Sequence, residues 1–295
     1  HTTLNGTEFP QFPVFNSNVE YVVEVSFYYE ENNLYDTRYV FEDNSLSGSG
    51  AALPPEPTYG AFIFEGWNTA MDGSGTDFTA TTTVTEDISV YARWNKFAGG
   101  DGSQDSPYLI ETSEQLCFMA EAVNSDNSLF GDKHYKLNAD IDLGAEWTIN
   151  EDTFEAELTE GNEWVPIGNE DNPFSGDFDG NGHTVSGFYI NNSDYNQGLF
   201  GHVEEGTIKS LTVEDSYICG DSQVGAIVGY LYDGSISNCR SSATVKGEIL
   251  IGGICGYVAY GTVSACTNTG TVISSAMVGG IAGLLEESTI SESIN

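Results

Sequence analysis

The chain has 295 residues, and its 45 Asp and Glu residues against 8 Lys and Arg residues give a net charge of −37. Nucleic acids and anionic membranes are bound by basic patches, so this charge argues against both as partners. The most apolar run, 249–260, is short and carries three glycines, so no membrane insertion is predicted. Hydrophobic residues make up 39% of the chain and aromatic residues 12%, which is too many for a disordered acidic segment. The composition therefore indicates a folded chain, long enough for two domains.

The first 95 residues contain two predicted segments. Residues 1–20 are polar and carry Pro10 and Pro13, so we interpret them as a leader or linker. Residues 21–95 then contain runs of Val and aromatic residues, YVVEVSFYY, AFIFEGW and ISVYARWN, separated by glycine-containing turns. Such runs favour strands, and this segment is predicted to be a small β-rich module.

Four sequence blocks of this module resemble the Listeria–Bacteroides repeat, the B-repeat of internalin B. They are FEGWNT (64–69), DGSGT (72–76), VTEDI (84–88) and VYARW (90–94). The resemblance implies a β-grasp-like module, which bacterial surface proteins use as a spacer or an interaction domain. Trp67 and Trp94 could form a sugar platform, although core positions are the favoured interpretation in so small a module.

A helix is predicted at the start of the second domain, which covers residues 107–295 after a Gly-, Asp- and Ser-rich linker at 96–106. Thr112 and Gln115 have the spacing of a capping box. The helix carries an apolar stripe formed by Leu116, Met119, Ala120 and Val123. Because this apolar face needs a partner, we predict that the helix caps the open end of the domain's core.

The rest of the second domain is a repeat with near-constant steps. Four apolar segments, GLFG, VGAIVG, IGGICG and VGGIAG, end at evenly spaced glycines: Gly201, Gly229, Gly256 and Gly283. The segments TIKSL, SISNC, TVSAC and TISES follow at the same steps. Short β-branched runs without a helical stripe predict an all-β architecture, a right-handed parallel β-helix with one coil per repeat.

Stacked coils place equivalent side chains in ladders about 4.8 Å apart. The repeat predicts one buried ladder of Ile208, Ile236, Val263 and Ile290, and another of Ile227, Ile254 and Ile281. A third is predicted from Val213, Val245 and Val272. Earlier coils are predicted at 134–143 and 164–190, with Val185, Phe188 and Ile190 preceding Ile208, Leu211 and Val213 by one common step. The sequence ends within a coil, so we expect the β-helix to be truncated at its C-terminus.

A second resemblance, to the GLUG-motif family, covers residues 99–295. Its blocks are PYLIETSEQL, WVPIG, FSGDFDGNGHTV, GLFG and the repeated Gly-Gly-Ile segments. It implies a β-helical region of a large secreted or surface protein, often an adhesin; some relatives carry a metallopeptidase domain that cleaves immunoglobulin A. The sequence has no His-Glu-x-x-His motif, so we do not predict a peptidase.

One turn has a weak likeness to a calcium site. The segment DFDGNG (177–182) matches the first half of an EF-hand loop, which makes Asp177, Asp179 and Asn181 weak calcium candidates. The twelfth position is Phe188 instead of the bidentate Glu that the site requires, so a turn between coils is the favoured interpretation. We predict no cofactor, with adventitious calcium as the open alternative.

An acidic insertion at 144–163 interrupts the early coils. Repeat positions are dictated by stacking, so a site is expected at the irregular parts, namely this insertion and the neighbouring first coils. The binding candidates are its carboxylates, Glu151, Asp152, Glu155, Glu157 and Glu160.

The five cysteines lack the CxxC spacing of a zinc site. Cys239 and Cys266 lie one repeat apart, at equivalent positions of successive units. They would be neighbours in a β-helix, either as a disulfide or as two stacked buried thiols.

Together these features predict a non-catalytic, secreted or cell-surface bacterial protein that acts in adhesion, interaction or display outside the cell. A host protein, a matrix protein or a glycan is the expected partner. One alternative is a carbohydrate-active β-helix enzyme, although the carboxylates are scattered and bases are few. Another alternative is a passive stalk of a larger surface protein.

Overall fold

The computed structural model describes residues 21–30, 33–58, 63–71, 73–125 and 127–295. The chain divides into two compact units, residues 1–95 and 96–295. The leader predicted for residues 1–20 lies outside the described residues.

The first unit is built on one five-stranded sheet in the order β2-β1-β5-β3-β4. Its strands are β1 (Val22–Glu30), β2 (Asn33–Phe41), β3 (Ile63–Asn68), β4 (Asp77–Phe78) and β5 (Ile88–Asn95). The first strand pairs antiparallel with β2 and parallel with the last strand, β5, as expected for a β-grasp-like module.

The tryptophans of this unit serve its core. Trp67 is buried, and its ring centroid lies 4.8 Å from that of Phe27 in an edge-to-face contact. Trp94 is half-buried and donates a hydrogen bond from Nε1 to the Tyr29 carbonyl at 3.0 Å. The favoured core interpretation therefore describes both side chains, and neither presents a sugar platform.

The second unit begins with the predicted helical cap. Its first elements are β6 (Tyr108–Ile110), α1 (Ser113–Ser125) and α2 (Asn127–Phe130). Thr112 Oγ1 accepts a hydrogen bond from the Gln115 N–H, and Gln115 Oε1 accepts one from the N–H of Glu111, a residue earlier than in the usual box. The apolar stripe of α1 is buried in the β-helix core, which confirms the cap. Phe97 is buried in the same core, so the segment predicted to be a linker contributes to this end of the domain.

The remaining strands wind into a parallel β-helix with a short hairpin inserted. The early strands are β7 (His134–Leu137), β8 (Ile141–Asp142), β9 (Glu146–Ile149), β10 (Ala156–Glu160), β11 (Asp177–Asp179), β12 (Thr184–Ser186), β13 (Tyr189–Asn191), β14 (Tyr195–Gln197), β15 (Phe200–Glu204), β16 (Thr207–Lys209), β17 (Thr212–Glu214) and β18 (Tyr217–Cys219). The later strands are β19 (Ser222–Gly225), β20 (Val228–Tyr232), β21 (Ser235–Ser237), β22 (Arg240–Ser241), β23 (Thr244–Gly252), β24 (Cys255–Ala259), β25 (Thr262–Ser264), β26 (Thr267–Asn268), β27 (Thr271–Gly279), β28 (Ala282–Glu286) and β29 (Thr289–Ser291).

These strands form four parallel sheets along the β-helix. The first sheet has seven strands in the order β29-β25-β21-β16-β11-β7-β6, and the second has the order β26-β22-β17-β12-β8. The third contains β13, β18, β23, β19, β14 and β27, and the fourth has the order β15-β20-β24-β28. The stacked coils confirm the predicted architecture.

Two predicted ladders are confirmed. In the first sheet Ile208 pairs with Ile236, Ile236 with Val263, and Val263 with Ile290. The ladder of Ile227, Ile254 and Ile281 is linked by backbone hydrogen bonds of 3.0 and 2.9 Å between successive coils. Burial of each such side chain stabilises the fold by about 1.5–3 kcal/mol.

The repeated glycines have a steric cause. A Cβ added to Gly229 would lie 2.4 Å from the backbone carbon of Asn196, in the coil before it. Only glycine lets the two backbones approach so closely.

The third predicted ladder has the wrong member. Val213 pairs with Ser241, whereas Val245 continues a ladder from Ile218 and leads to Val272. Ser241 is buried although it is polar. The apolar pattern therefore selected Val245, which lies in the next sheet, in place of Ser241.

The predicted register of the earlier coil is also wrong. Val185 pairs with Val213, Ile190 with Ile218, and Ile208 with Phe178. Each coil contributes apolar residues to several sheets. The common step in the sequence therefore equated positions that belong to different sheets.

Neither helix in the described part of the chain is long and apolar enough to cross a membrane.

Candidate functional site

The acidic insertion is a β-hairpin that lies on the third sheet. Its strands β9 and β10 pair antiparallel, with Ala156 opposite Ile149 and Leu158 opposite Trp147. A small core separate from that of the β-helix lies beneath it, formed by Ala145, Ala156, Tyr189 and Tyr217. The hairpin therefore has an apolar face of its own, packed on the outside of the coils.

Polar side chains from three successive coils hold the turn of this hairpin. Tyr189 Oη donates to the Ala156 carbonyl at 2.8 Å, and Tyr217 Oη donates to the Phe154 carbonyl at 3.0 Å. Lys246 Nζ donates to the Thr153 carbonyl at 3.0 Å. Burial raises the pKa of Tyr217, so its hydroxyl keeps the proton it donates. We call these three side chains the clasp.

The predicted binding carboxylates are all exposed on this hairpin, but the structure does not gather them into one site. Glu155 forms an ion pair with Lys246 of the clasp. The other four have no basic partner within the described ranges: Glu151, Asp152, Glu157 and Glu160. The role of all five carboxylates in binding stays a prediction, and Glu155 also contacts the clasp.

The calcium candidates contact protein partners. Asp177 Oδ2 lies 2.8 Å from His134 Nδ1, and Asp179 Oδ2 lies 3.5 Å from Lys209 Nζ. Asn181 donates from Nδ2 to a backbone carbonyl at 3.2 Å, and its N–H donates to Asp179 Oδ1 at 2.8 Å. The described residues contain no group of three or more His, Cys, Asp or Glu arranged to hold a metal ion. This geometry fits a turn between coils.

Cys239 and Cys266 lie at equivalent positions of neighbouring coils, beside the β22–β26 pair. Both are buried free thiols in this structure, and each contacts a backbone carbonyl at 3.2 Å, that of Ser237 or Ser264. The Cys266 side chain and burial together raise the pKa of the Cys239 thiol. A disulfide between them stays a prediction.

A row of aromatic rings runs along the outside of the fourth sheet. The ring of Tyr230 stacks on His202 at 4.9 Å and on Tyr257 at 5.0 Å, with interplanar angles of 28° and 19°. Tyr230 therefore has a neighbouring ring against each of its two faces. Since a sugar stacks on a ring face, this row is a poor glycan platform and acts in coil stacking.

Two grooves meet at Tyr195, on the short strand β14. The first, which we call the cap groove, has a volume of about 370 Å³ and is lined by Pro166, Asn169, Glu170, Asn196 and Gln197. The second, which we call the coil groove, has a volume of about 380 Å³ and is lined by Asp221, Gln223, Glu248 and Ser275. Tyr195 lines both and is 58% exposed.

The wall of the cap groove is held by the capping helix. Asn124, near the end of α1, accepts the Gly168 N–H on Oδ1 at 2.8 Å and donates from Nδ2 to the Pro166 carbonyl at 2.9 Å. Its carbonyl accepts a hydrogen bond from Asn172 Nδ2 at 2.9 Å. The helix that closes the core therefore also fixes the loop beside Tyr195.

A third groove of about 410 Å³ lies at the base of the hairpin. Its walls include Trp147, Ser186 and three carboxylates, Asp142, Glu146 and Asp215. Among the residues that the structure describes, no Lys or Arg lines any of the three grooves.

The sequence analysis did not single out Tyr195. Tyr195 pairs with Ser222, and Ser222 pairs with Ile249. The residue type at this position therefore differs from coil to coil, and among these three residues only Tyr195 is aromatic. An outward aromatic residue that is not repeated in later coils is the feature that could have identified it.

Family models match both predicted modules. Residues 25–93 match the Listeria-Bacteroides repeat domain, and residues 220–246 and 247–273 each match the GLUG motif. The two resemblances are therefore confirmed, in the predicted order along the chain.

Relatives with curated names are similar to parts of the chain. A candidate Gly-rich membrane protein of Evansella cellulosilytica is 38% identical over 147 residues, 48% of this chain and 15% of the relative. Halomucin of Haloquadratum walsbyi is 36% identical over 209 residues, 65% of this chain and 2% of the relative. The chain thus spans a small part of the length of these relatives.

A solved structure of a candidate immunoglobulin A1 protease from Bacteroides ovatus is also similar, at 22% identity and a TM-score of 0.49. The match covers 68% of this chain and 70% of the other.

Proposed function

We propose that this chain acts outside the cell as a non-catalytic, surface-displayed protein of adhesion or interaction. The observation that carries the proposal is the β-helix itself, whose outer surface presents open grooves beside the exposed aromatic side chain of Tyr195. Solenoids of this kind stack their repeats along one axis and so present extended binding surfaces. A host protein, a matrix protein or a glycan is the proposed partner.

The modules and the charge support an extracellular location. A Listeria-Bacteroides repeat precedes the GLUG coils, and the two curated relatives are named as a membrane protein and a halomucin. The net charge of −37 keeps such a surface solvated and self-repelling.

The grooves favour binding over catalysis. A carbohydrate-active β-helix would use clustered carboxylates with a Lys or Arg or a bound cation beside them. Three lysines of the β-helix instead pair with carboxylates elsewhere, Lys133 with Asp132, Lys209 with Asp179 and Lys246 with Glu155. The proposal therefore assigns no reaction to this chain.

An array experiment tests the proposal. The labelled chain is applied to immobilised glycans and to matrix and host proteins, and each bound glycan is recovered and sized. We expect saturable binding to a subset of spots, with every bound glycan recovered intact. Shortened glycans would support the enzyme instead, and no binding to any spot would leave the passive stalk.

A further inference from the structure

We propose that the cap groove and the coil groove together bind one neutral glycan chain, with a sugar ring stacked on Tyr195. This proposal rests on the proposed function and adds a ligand class and a position to it.

Tyr195 has the accessibility that stacking requires. It is 58% exposed and stands where the two grooves meet, whereas Tyr230 has a neighbouring ring against each face. Within the described part of the chain, Tyr195 makes no ring contact. Its apolar ring face and polar hydroxyl suit a sugar, which also has apolar C–H faces and polar edges.

Asn196 supplies a second and independent observation. It is only 8% exposed, lines the cap groove, and its Oδ1 has no hydrogen-bond partner in the described ranges. Buried polar atoms are almost always paired in folded proteins, so this acceptor, itself nearly closed to solvent, would gain a partner when a rotation of the Asn196 side chain brings it to a donor in the groove. A sugar hydroxyl is such a donor.

The backbone around this acceptor is fixed. Asn196 has a φ of 57°, a left-handed conformation that Asn tolerates better than most residues. The next side chain, Gln197, donates from Nε2 to the Tyr195 carbonyl at 2.6 Å and accepts from Asn192 at 3.4 Å. The groove is therefore preorganised, which lowers the entropic cost of binding.

Charge selects the class of glycan. Glu170 and Asp194 line the cap groove, and Asp221 and Glu248 line the coil groove. These carboxylates accept hydrogen bonds from hydroxyl groups but repel uronic acids and sulfated sugars. The amides of Asn169 and Gln223 add donors and acceptors without charge, so a neutral chain is the expected ligand.

Calorimetric titration of the full chain tests the proposal. The probes are cellohexaose, xylohexaose, mannohexaose, laminarihexaose and chitohexaose, with oligogalacturonate as the anionic control and oligolysine as a basic peptide. We expect one or more neutral probes to bind and oligogalacturonate not to bind. Tyr195→Ala should weaken that binding by about tenfold or more, equivalent to the loss of one stacking contact.

Two further variants make the result specific. Asn196→Gly keeps the left-handed backbone and removes the unpaired acceptor, so it should weaken the same binding several-fold. Tyr260→Ala removes another exposed tyrosine, 46% accessible and far along the coils, and should leave affinity unchanged. Thermal unfolding of each variant shows whether the fold is intact.

Each other outcome overturns a defined part of the proposal. Neutral-glycan binding that Tyr195→Ala leaves intact would reject the groove and keep a glycan-binding surface. Tyr195-dependent binding of oligolysine alone would replace the glycan by a basic peptide. If no probe binds while matrix proteins bind on the array, the glycan proposal fails and the adhesion function stands; if nothing binds on either, both fail.

Discussion

The coils after residue 200 and the coils between residues 134 and 197 differ in how they use their outer surface. In the later coils equivalent side chains stack from one coil to the next, and the outward rings of Tyr230 and Tyr257 stack with their centroids 5.0 Å apart. In the earlier coils the hairpin, the loop held by Asn124 and the end of α1 interrupt this regularity. The cap groove borders these interruptions, and the coil groove continues from Tyr195 onto the later coils.

This difference means that the residues that stabilise the fold are not those that are available to a ligand. In a regular ladder each side chain packs against the equivalent side chain of the next coil, so its contacts are made within the β-helix. An interruption leaves ring faces and acceptors without such a partner, as at Tyr195 and Asn196. In this β-helix, therefore, the ladders fix the shape, and the two grooves that meet at Tyr195 carry the surface available to a ligand.

The largest effect is expected from a cavity in the regular region. Ile236 is fully buried between Ile208 and Val263, so Ile236→Ala should destabilise the β-helix by about 2–5 kcal/mol. The outward neighbour Ser237 gives a matched control, and Ser237→Ala should cost no more than about 0.5 kcal/mol. Denaturant midpoints of the two variants measure the difference. Equal midpoints would mean that the ladder does not carry stability.

The clasp should show a smaller and local effect. Tyr217→Phe removes the hydrogen bond to the Phe154 carbonyl and should weaken attachment of the hairpin by about 1 kcal/mol. Hydrogen exchange should quicken in β9 and β10 and stay unchanged in the ladder strands. Tyr232→Phe, outside the clasp, is the control. Equal acceleration throughout the coils would contradict an independently attached hairpin.

The ionic part of the clasp should contribute least to attachment. Glu155 is exposed, so its pair with Lys246 is worth about 0.2–1 kcal/mol and is screened by salt. Lys246→Gln should quicken exchange of the hairpin at low salt, and the difference from the unmodified chain should shrink at high salt. A difference that does not change with salt would assign the effect to the hydrogen bond with the Thr153 carbonyl.

His202, at the start of the aromatic row, should make the stability of the fold depend on pH. Burial lowers the pKa of His202, so the folded chain favours the neutral ring, while the unfolded chain takes up a proton below about pH 6.5. Stability from this residue is complete above that pH and is lost as the pH falls. His202→Tyr, which extends the row of Tyr230 and Tyr257, should lose less stability between about pH 7.5 and about pH 5.5. Identical pH dependence in both proteins would contradict a buried neutral ring.

The sequence predicts the repetitive parts of this molecule best. The even spacing of the repeated glycines and a capping box suffice for the coils, for the ladder of Ile236 and for the helical cap. Ladders with polar members were missed, because buried Ser241 is indistinguishable by composition from a surface serine. The register predicted for the coil with Val185 and Ile190 was wrong because one coil supplies residues to several sheets.

The sequence predicts where the irregular region lies but not which of its residues contact each other. The acidic insertion and first coils were predicted as the place for a site, yet pairing of Glu155 with Lys246, far along the chain, depends on the coil register. The groove at Tyr195 likewise depends on contacts between α1 and the loop after Pro166, which no local pattern encodes. Tertiary placement, more than residue type, defines this site.

Hydrogen exchange of the full chain, with and without the tightest-binding neutral hexasaccharide of the panel, tests the central claim most directly. We predict slowed exchange confined to the segments that line the two grooves, residues 165–170, 194–197, 221–223, 248–249 and 275–276, with the strands of the first and second sheets unchanged. Protection spread along the first and second sheets, or confined to the module at 21–95, would contradict the claim that the grooves at Tyr195 carry recognition.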